Sequence, residues 1–189
     1  MTRLSDPPIR AALHSRLDEQ LSDGDRVVFE MPVCGGTARL DAARLNGHLE
    51  GYEIKSDRDT LARLDGQVQA YGRVVDRMTI VCTPRHLDQA MDVVPPWWGV
   101  WEATGDGVHV DLAEVRSATE NPDQESVWVA QLLWRDECLS LLDLAGVTGV
   151  RSKPRRVLWR RLADVYDLPE LSPLVTGVLK NRRGWLAVR

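Results

Sequence analysis

The stretch "GYEIKSDRDT", residues 51–60, alternates apolar and charged side chains and then runs into a polar turn. Period-two alternation reads as a β-strand. Tyr52 and Ile54 then share one face, while Glu53 and Lys55 share the other, about 7 Å apart along the chain. Two readings of the second face stand. One is a surface ion pair, contributing about 0–1 kcal/mol. The other is a site that uses a carboxylate and an ammonium together.

Working outward, "RVVFEMPV" (26–33), "ARLDAARL" (38–45) and "LEGYEIKS" (49–56) read as three strands, separated by "CGGT" and "NGH". Before them, Ile9, Leu13, Leu17 and Leu21 recur every four residues, which predicts an amphipathic helix over 8–21 that starts near Asp6 and its prolines. After them, Leu61, Leu64, Val68, Tyr71 and Val75 predict a helix over 59–75. "RMTIVCT" is a further strand, "RHLDQAMDVV" a helix stopped by Pro95-Pro96, and "WWGVWEA" with "VHVDLAEV" a hairpin across "TGDG". In such a hairpin Trp97, Trp98 and Trp101 read as core. The order α-β-β-β-α-β, with further additions, predicts an α/β fold with a mixed sheet. A polar stretch near 117–125 reads as a linker. Helices are expected over 126–146, 153–167 and 172–185. This divides the chain into a core, 1–120, and a helical, basic C-terminal subdomain, 121–189.

Composition excludes some classes. No run approaches 18 apolar residues, so no transmembrane helix is expected. "MTRLSDPPIR" has no apolar segment of the kind a signal peptide needs. Cys34, Cys82 and Cys138 are odd in number and widely spaced, which points to a reducing cytoplasm and away from disulfides or a zinc knuckle. His14, His48, His86 and His109 show no ligand spacing. The net charge of −4 conceals an asymmetry: residues 151–189 hold 10 Lys/Arg against 3 Asp/Glu, while residues 1–150 hold 14 against 25. A basic region on an acidic body suits either a polyanion partner or a solvated helical surface.

The acids Glu30, Asp41 and Glu53 fall in or beside the first three strands, with Lys55 next to them. A two-residue turn at Asn46-Gly47 would set Asp41 opposite Tyr52 and separate the acids. A three-residue connection with Gly47 left-handed shifts the register by one. Asp41 then joins Glu53, and Leu40 and Ala42 join Tyr52 and Ile54 on the apolar side, so the hydrophobic pattern selects this register. Converging carboxylates suit a hard cation such as Mg²⁺. Such a cation could activate water at a phosphodiester, with Lys55 orienting the water or stabilising charge.

Asp41, followed after eleven residues by Glu53-Ile54-Lys55, resembles the core of the PD-(D/E)XK nuclease superfamily, with Leu40 where the proline would stand. "QVQAY" places Gln67 and Tyr71 at i and i+4 and resembles the Q-x-x-x-Y motif of the RecB-like nucleases. "YEIKSDRDTLARL" through "QVQAY" also looks like a group of small, poorly characterised bacterial and phage proteins assigned to that superfamily. The resemblance implies a restriction-endonuclease-like αβββαβ core and a metal-dependent deoxyribonuclease, cytoplasmic, acting in DNA repair, phage biology or defence. Its catalytic set would be Asp41, Glu53, Lys55, Gln67 and Tyr71. Asp41, Glu53 and Glu30 would hold Mg²⁺ or Mn²⁺, Glu30 being equally readable as a plain strand-edge acid. Arg58 or Arg63 would hold phosphate, with Asp57 or Asp59 available to cap the helix. In "RSKPRRVLWRRLADVYD", Val157, Leu158, Leu162 and Val165 form an expected buried face. Lys153, Arg155, Arg156 and Arg160 would contact nucleic acid. The partner would be DNA, with RNA as a second polyanion, and two copies could pair to cut both strands. The competing class is an inactive nuclease-fold module for DNA binding or assembly.

Overall fold

The computed structural model describes residues 3–183. Helix α1 (Asp6–Glu19) leads into strands β1 (Arg26–Val33), β2 (Ala38–Leu45) and β3 (Leu49–Lys55). Helix α2 (Leu64–Gly72), β4 (Arg77–Cys82), α3 (Pro84–Val93), β5 (Gly99–Gly105) and β6 (Val110–Arg116) follow. Four helices complete the described residues: α4 (Ser126–Ala130), α5 (Arg135–Leu144), α6 (Arg155–Val165) and α7 (Leu168–Asn181). The α/β expectation with a mixed sheet holds. The strands form one six-stranded sheet in sequence order, β1 to β6. β3 pairs antiparallel with β2 and parallel with β4, and β4 pairs parallel with β5. Parallel neighbours need a crossover, and α2 and α3 supply the two crossovers.

This topology makes β3 an interior strand covered on both faces, and all seven of its residues are buried. Alternation sorts the side chains. Tyr52 and Ile54 meet Ile9, Leu13 and Leu17 of α1, which are fully buried at spacing four. The opposite face belongs to a larger core that runs from Met31 and Leu45 through Tyr71 and Trp98 to Leu158, Leu171 and Leu179 of the last helices. Gly51 faces this core at close range: a Cβ there would lie 2.6 Å from Met78 Sδ. Trp97, Trp98 and Trp101 are buried, as their place after Pro-Pro predicts.

The three-residue connection after β2 is present, with Leu45 opposite Leu49, Ala42 opposite Tyr52, and Gly47 at φ 107°. One detail differs from the expected pattern. Leu40 packs in the larger core, on the side away from Ala42 and Tyr52. β1 and β2 change face together near Glu30, a non-glycine residue at φ 53°, so simple alternation fails there.

Several boundaries also move. α1 stops at Glu19, before Leu21. The helix expected over 59–75 begins only at Leu64, because Asp59 folds back to accept from the Ser56 amide and hydroxyl at 2.8 and 2.5 Å. Asp59 therefore closes a turn and does not cap α2. Asp57 likewise accepts from the Leu4 amide at 2.8 Å. The helix expected over 126–146 breaks between Ala130 and Arg135, where Leu132 and Leu133 are both buried and Trp134 starts α5 in an extended conformation. Its amide donates to Glu137 Oε2 at 2.6 Å, capping the new helix. The last helix begins at Leu168, earlier than Ser172, under a capping box of Asp167 and Glu170. Its expected end at Trp185 lies outside the described residues. In α6, Leu158 and Leu162 are buried, whereas Val157 is exposed. The polar stretch 117–125 is pinned to the sheet: Asn121 Nδ2 donates to the Gly72 and Val75 carbonyls at 2.6 and 2.7 Å.

Candidate functional site

Glu53 and Lys55 leave β3 on the face covered by α2, and α2 answers them with Gln67 and Tyr71, one helical turn apart. Lys55 Nζ lies 2.6 Å from Glu53 Oε1 and 3.0 Å from Gln67 Oε1. Gln67 Nε2 donates to the same Glu53 oxygen at 2.6 Å. The Tyr71 hydroxyl lies 2.8 Å from Glu53 Oε2 and 2.6 Å from the Arg39 carbonyl, two acceptors for one phenolic proton. The side chains of Lys55 and Glu53 are only 4% and 5% exposed, so this is a buried ion pair and the surface-pair reading is corrected. Burial, and after it the Asp41 charge, push the Glu53 carboxyl above its ordinary range, against the opposing pull of Lys55. Burial, and then the Glu53 charge, also push Tyr71 up.

Asp41 completes the group from β2, with its carboxylate used within the sheet. Its Oδ2 accepts from the Ile54 amide at 2.7 Å, just beyond the last strand pairing, where a ladder acceptor would otherwise sit. Its Oδ1 accepts from Arg10 Nη2 at 3.1 Å. Arg10 also lies 2.9 Å from Glu30 Oε1 and 2.9 Å from Asp6 Oδ1, while Arg39 holds Glu30 Oε2 at 2.7 Å. The structure thus brings Asp41, Glu53, Lys55, Gln67 and Tyr71 together and adds Arg10. Sequence reasoning passed over Arg10. The available signal was charge: three acids converging on a buried strand end require a cation, and Arg10 follows Ile9 on the helix that covers them.

Every carboxylate oxygen of Glu30, Asp41 and Glu53 already faces a protein donor. Among the described residues, no group of three or more His, Cys, Asp or Glu is arranged to hold a metal ion. The three acids expected to share Mg²⁺ or Mn²⁺ are instead each engaged by arginine, lysine, tyrosine or backbone N–H.

The expected nucleic-acid contacts lie elsewhere. Arg58 and Arg63 are exposed on the turn before α2. Lys153, Arg155, Arg156 and Arg160 are exposed at the start and along the flank of α6, joined by Arg161. Arg155 stacks over Trp159 at 4.7 Å. It also lines a cleft of about 540 Å³ with Arg39, Glu30 and Trp134, between edge strand β1 and the C-terminal helices.

The fold and site define an α/β protein in which a largely buried polar cluster sits under α2 and an exposed basic surface lies on α6. The chain matches, over residues 1–183, the family described as bacteriophage P4 protein cII, and it belongs to that family. It is 30% identical over 162 residues to Protein cII of Enterobacteria phage P4, an alignment covering 86% of this chain. The chain spans 61% of the length of that relative. No solved structure matches.

This membership corrects the reading drawn from the E-x-K and Q-x-x-x-Y patterns. The chain is assigned to the P4 cII family and not to the PD-(D/E)XK nucleases, and the expectations of a metal-dependent phosphodiesterase, hydrolase or endonuclease fall with that assignment. The geometry supplies the physical reason the pattern misled. Glu53, Lys55, Gln67 and Tyr71 do meet, but they meet to neutralise one another inside the molecule. Among the described residues, no helix is long and apolar enough to cross a membrane.

Proposed function

We propose that this protein is a DNA-binding module that grips backbone phosphates with α6. The observation that carries the reading is the state of the α6 cations. Lys153, Arg155, Arg156, Arg160 and Arg161 are exposed, and none lies within ion-pair distance of an acid among the described residues. Elsewhere the exposed arginines Arg39, Arg73 and Arg151 each have a carboxylate partner, while Arg58, Arg63 and Arg85 are exposed without one but do not gather on a single helix. A helix that concentrates free cations on a chain of net charge −4 is suited to a polyanion. The neighbouring cleft extends this surface toward Arg39 and toward Trp134, which is 47% exposed and has the Arg182 guanidinium stacked over its ring at 4.4 Å.

In this proposal the αβββαβ order from α1 to β4 is a restriction-endonuclease-like scaffold for the helical region. Three buried free thiols suit a reducing cytoplasm. The test is a salt series of fluorescence anisotropy titrations on labelled duplex DNA and RNA. Replacing Arg155, Arg156 and Arg160 together by Gln should weaken DNA binding at every sequence and flatten the log K against log salt slope by roughly two to three units. A triple variant that binds like the parent across the series would make α6 a solvated structural surface and end this reading. Tighter binding to RNA would replace DNA as the partner.

A further inference from the structure

On the α1 side of the sheet, away from both the Glu53 cluster and α6, Arg16, Arg44 and Arg77 line one cavity of about 200 Å³ together with Thr79, Tyr52 and Trp101. Their placement follows from strand alternation. Arg77 and Thr79 are two residues apart on β4 and oppose Glu50 and Tyr52 of β3. Arg16 reaches over from α1 with its guanidinium 4.1 Å above the Trp101 ring and Nη1 on the Leu112 carbonyl.

Two of these side chains have donors that make no hydrogen bond among the described residues. Arg77 is 34% exposed, and its guanidinium makes no hydrogen bond among the described residues. Its nearest acids are Glu50 at 3.7 Å and the exposed Glu120 at 3.8 Å, and its Nε is fully buried without a partner. Thr79 is only 6% exposed, and among the described residues its hydroxyl has no hydrogen-bond partner. Buried polar groups without partners are costly and therefore uncommon. Arg77 Nε is such a group, and beside it on the same strand Thr79, whose hydroxyl makes no hydrogen bond among the described residues, lines the same cavity; together they indicate a missing acceptor.

The charges favour an anion. Glu50 is already neutralised by Arg44 at 2.7 Å and accepts from Asn46 Nδ2 at 3.1 Å. The remaining acid of the lining, Glu114, is exposed and accepts from Ser117. Arg16 and Arg77 therefore outweigh the free acid of the cavity by one. Guanidinium forks and a hydroxyl match an oxyanion that accepts on several oxygens, and the small volume limits it to a single such group.

We propose that this cavity is a binding site for a phosphate group, with Arg77 and Thr79 as its principal donors and Arg16 supplying charge. The group could arrive on a small metabolite or at a 5′ end of nucleic acid, and the experiment separates these sources. Isothermal titration of the full chain would use inorganic phosphate, acetate and chloride at matched ionic strength. Oligonucleotides with and without a 5′-phosphate would be added as competitors.

Saturable phosphate binding is expected, with acetate and chloride giving only a linear salt effect. Arg77→Gln should abolish it, and the near-isosteric Thr79→Val should weaken it roughly tenfold. The α6 triple variant should bind phosphate normally, which keeps this site separate from the DNA-binding reading. Competition only by the 5′-phosphorylated oligonucleotide assigns the nucleic-acid source; failure of both oligonucleotides to compete assigns a small metabolite. Absence of saturation, stronger binding of acetate, or an Arg77→Gln protein that folds with native circular dichroism and binds phosphate like the parent would each overturn the proposal.

Discussion

Toward α2, β3 presents Glu53 and Lys55, and both side chains find charge and hydrogen-bond partners at 2.6–3.0 Å inside the molecule. Toward α1, the same strand presents Glu50 and Tyr52 beside Arg77, whose guanidinium stands 3.7 Å from Glu50 and makes no hydrogen bond among the described residues. Both faces are buried and both carry charge. They differ in whether the chain supplies the last partner. A group whose partners are all internal holds the fold together. A group left short of a partner is where an outside molecule gains most by arriving, because its desolvation has already been met in folding. By this criterion the residues that look most like chemistry in the sequence are the ones satisfied inside the molecule, and the proposed binding positions are those left short of hydrogen-bond partners, on α6 and at the Arg77–Thr79 cavity.

The largest test removes one partner from the closed face. Lys55→Met should leave Glu53 buried without a counter-charge and destabilise the protein by about 3–5 kcal/mol in urea unfolding. Adding Glu53→Gln should recover part of that loss, since no charge then remains to be compensated. The pH dependence has a definite sign. Glu53 is already held above its ordinary range by burial and by Asp41. Losing Lys55 raises it further, so the deficit should shrink as pH falls below the folded value and the buried carboxyl takes up a proton. A Lys55→Met protein as stable as the parent at neutral pH would break the comparison, because the cluster would then not be structural.

A second test probes the packing beneath the same face. Gly51 lies between Glu50 and Tyr52, and a Cβ there would meet Met78 Sδ at 2.6 Å and Leu40 Cδ2 at 3.0 Å. Gly51→Ala should cost about 1–3 kcal/mol by overpacking, visible as a lower urea midpoint with an unchanged slope. An unchanged midpoint would show that Met78 moves aside freely, and that the core under β3 is looser than the charged cluster above it.

Much of this arrangement was readable from the residues. Alternation in 49–55 gave the strand and its two faces, and the conflict between turn length and hydrophobic pattern gave the register at Leu45 and Leu49. Spacing in "QVQAY" correctly put Gln67 and Tyr71 on one side of a helix. What alternation could not give was the number of neighbours. Glu53 and Lys55 read as half-exposed because nothing local says that β3 is interior and roofed by α2. The face change at Glu30 escaped for a related reason: a left-handed glutamate is held by its two arginine partners, and neither is near in sequence. The arrest of α4 at Ala130 escaped because "LLW" continues a helical pattern, and only the packing of Leu132 and Leu133 turns it aside. Function was misread at the step from co-location to catalysis. Four polar groups that satisfy one another and four that await a substrate have the same spacing in sequence.

The smallest test compares a buried pair with a peripheral one. Asp25, in the connection before β1, lies 3.2 Å from Lys180 of α7 and accepts from the Ser22 amide at 3.1 Å, tying the start of the sheet to the last helix. Burial alone would raise its pKa, but the Ser22 amide and the Lys180 ammonium outweigh that and hold it below the ordinary 3.8. A carboxyl depressed in the folded state contributes stability above its unfolded pKa and loses it as pH falls through the lower folded value. Asp25→Asn should therefore cost at most about 1 kcal/mol at neutral pH, and the melting temperatures of variant and parent should converge in strong acid. The contrast with Lys55→Met rests on solvent: both pairs join a carboxylate to an ammonium, but only the inner one is cut off from water on both faces of a sheet. If Asp25→Asn proved as damaging as Lys55→Met, burial would not be what separates the two, and the anchoring of α7 to the first strand would have to be ranked with the cluster under α2.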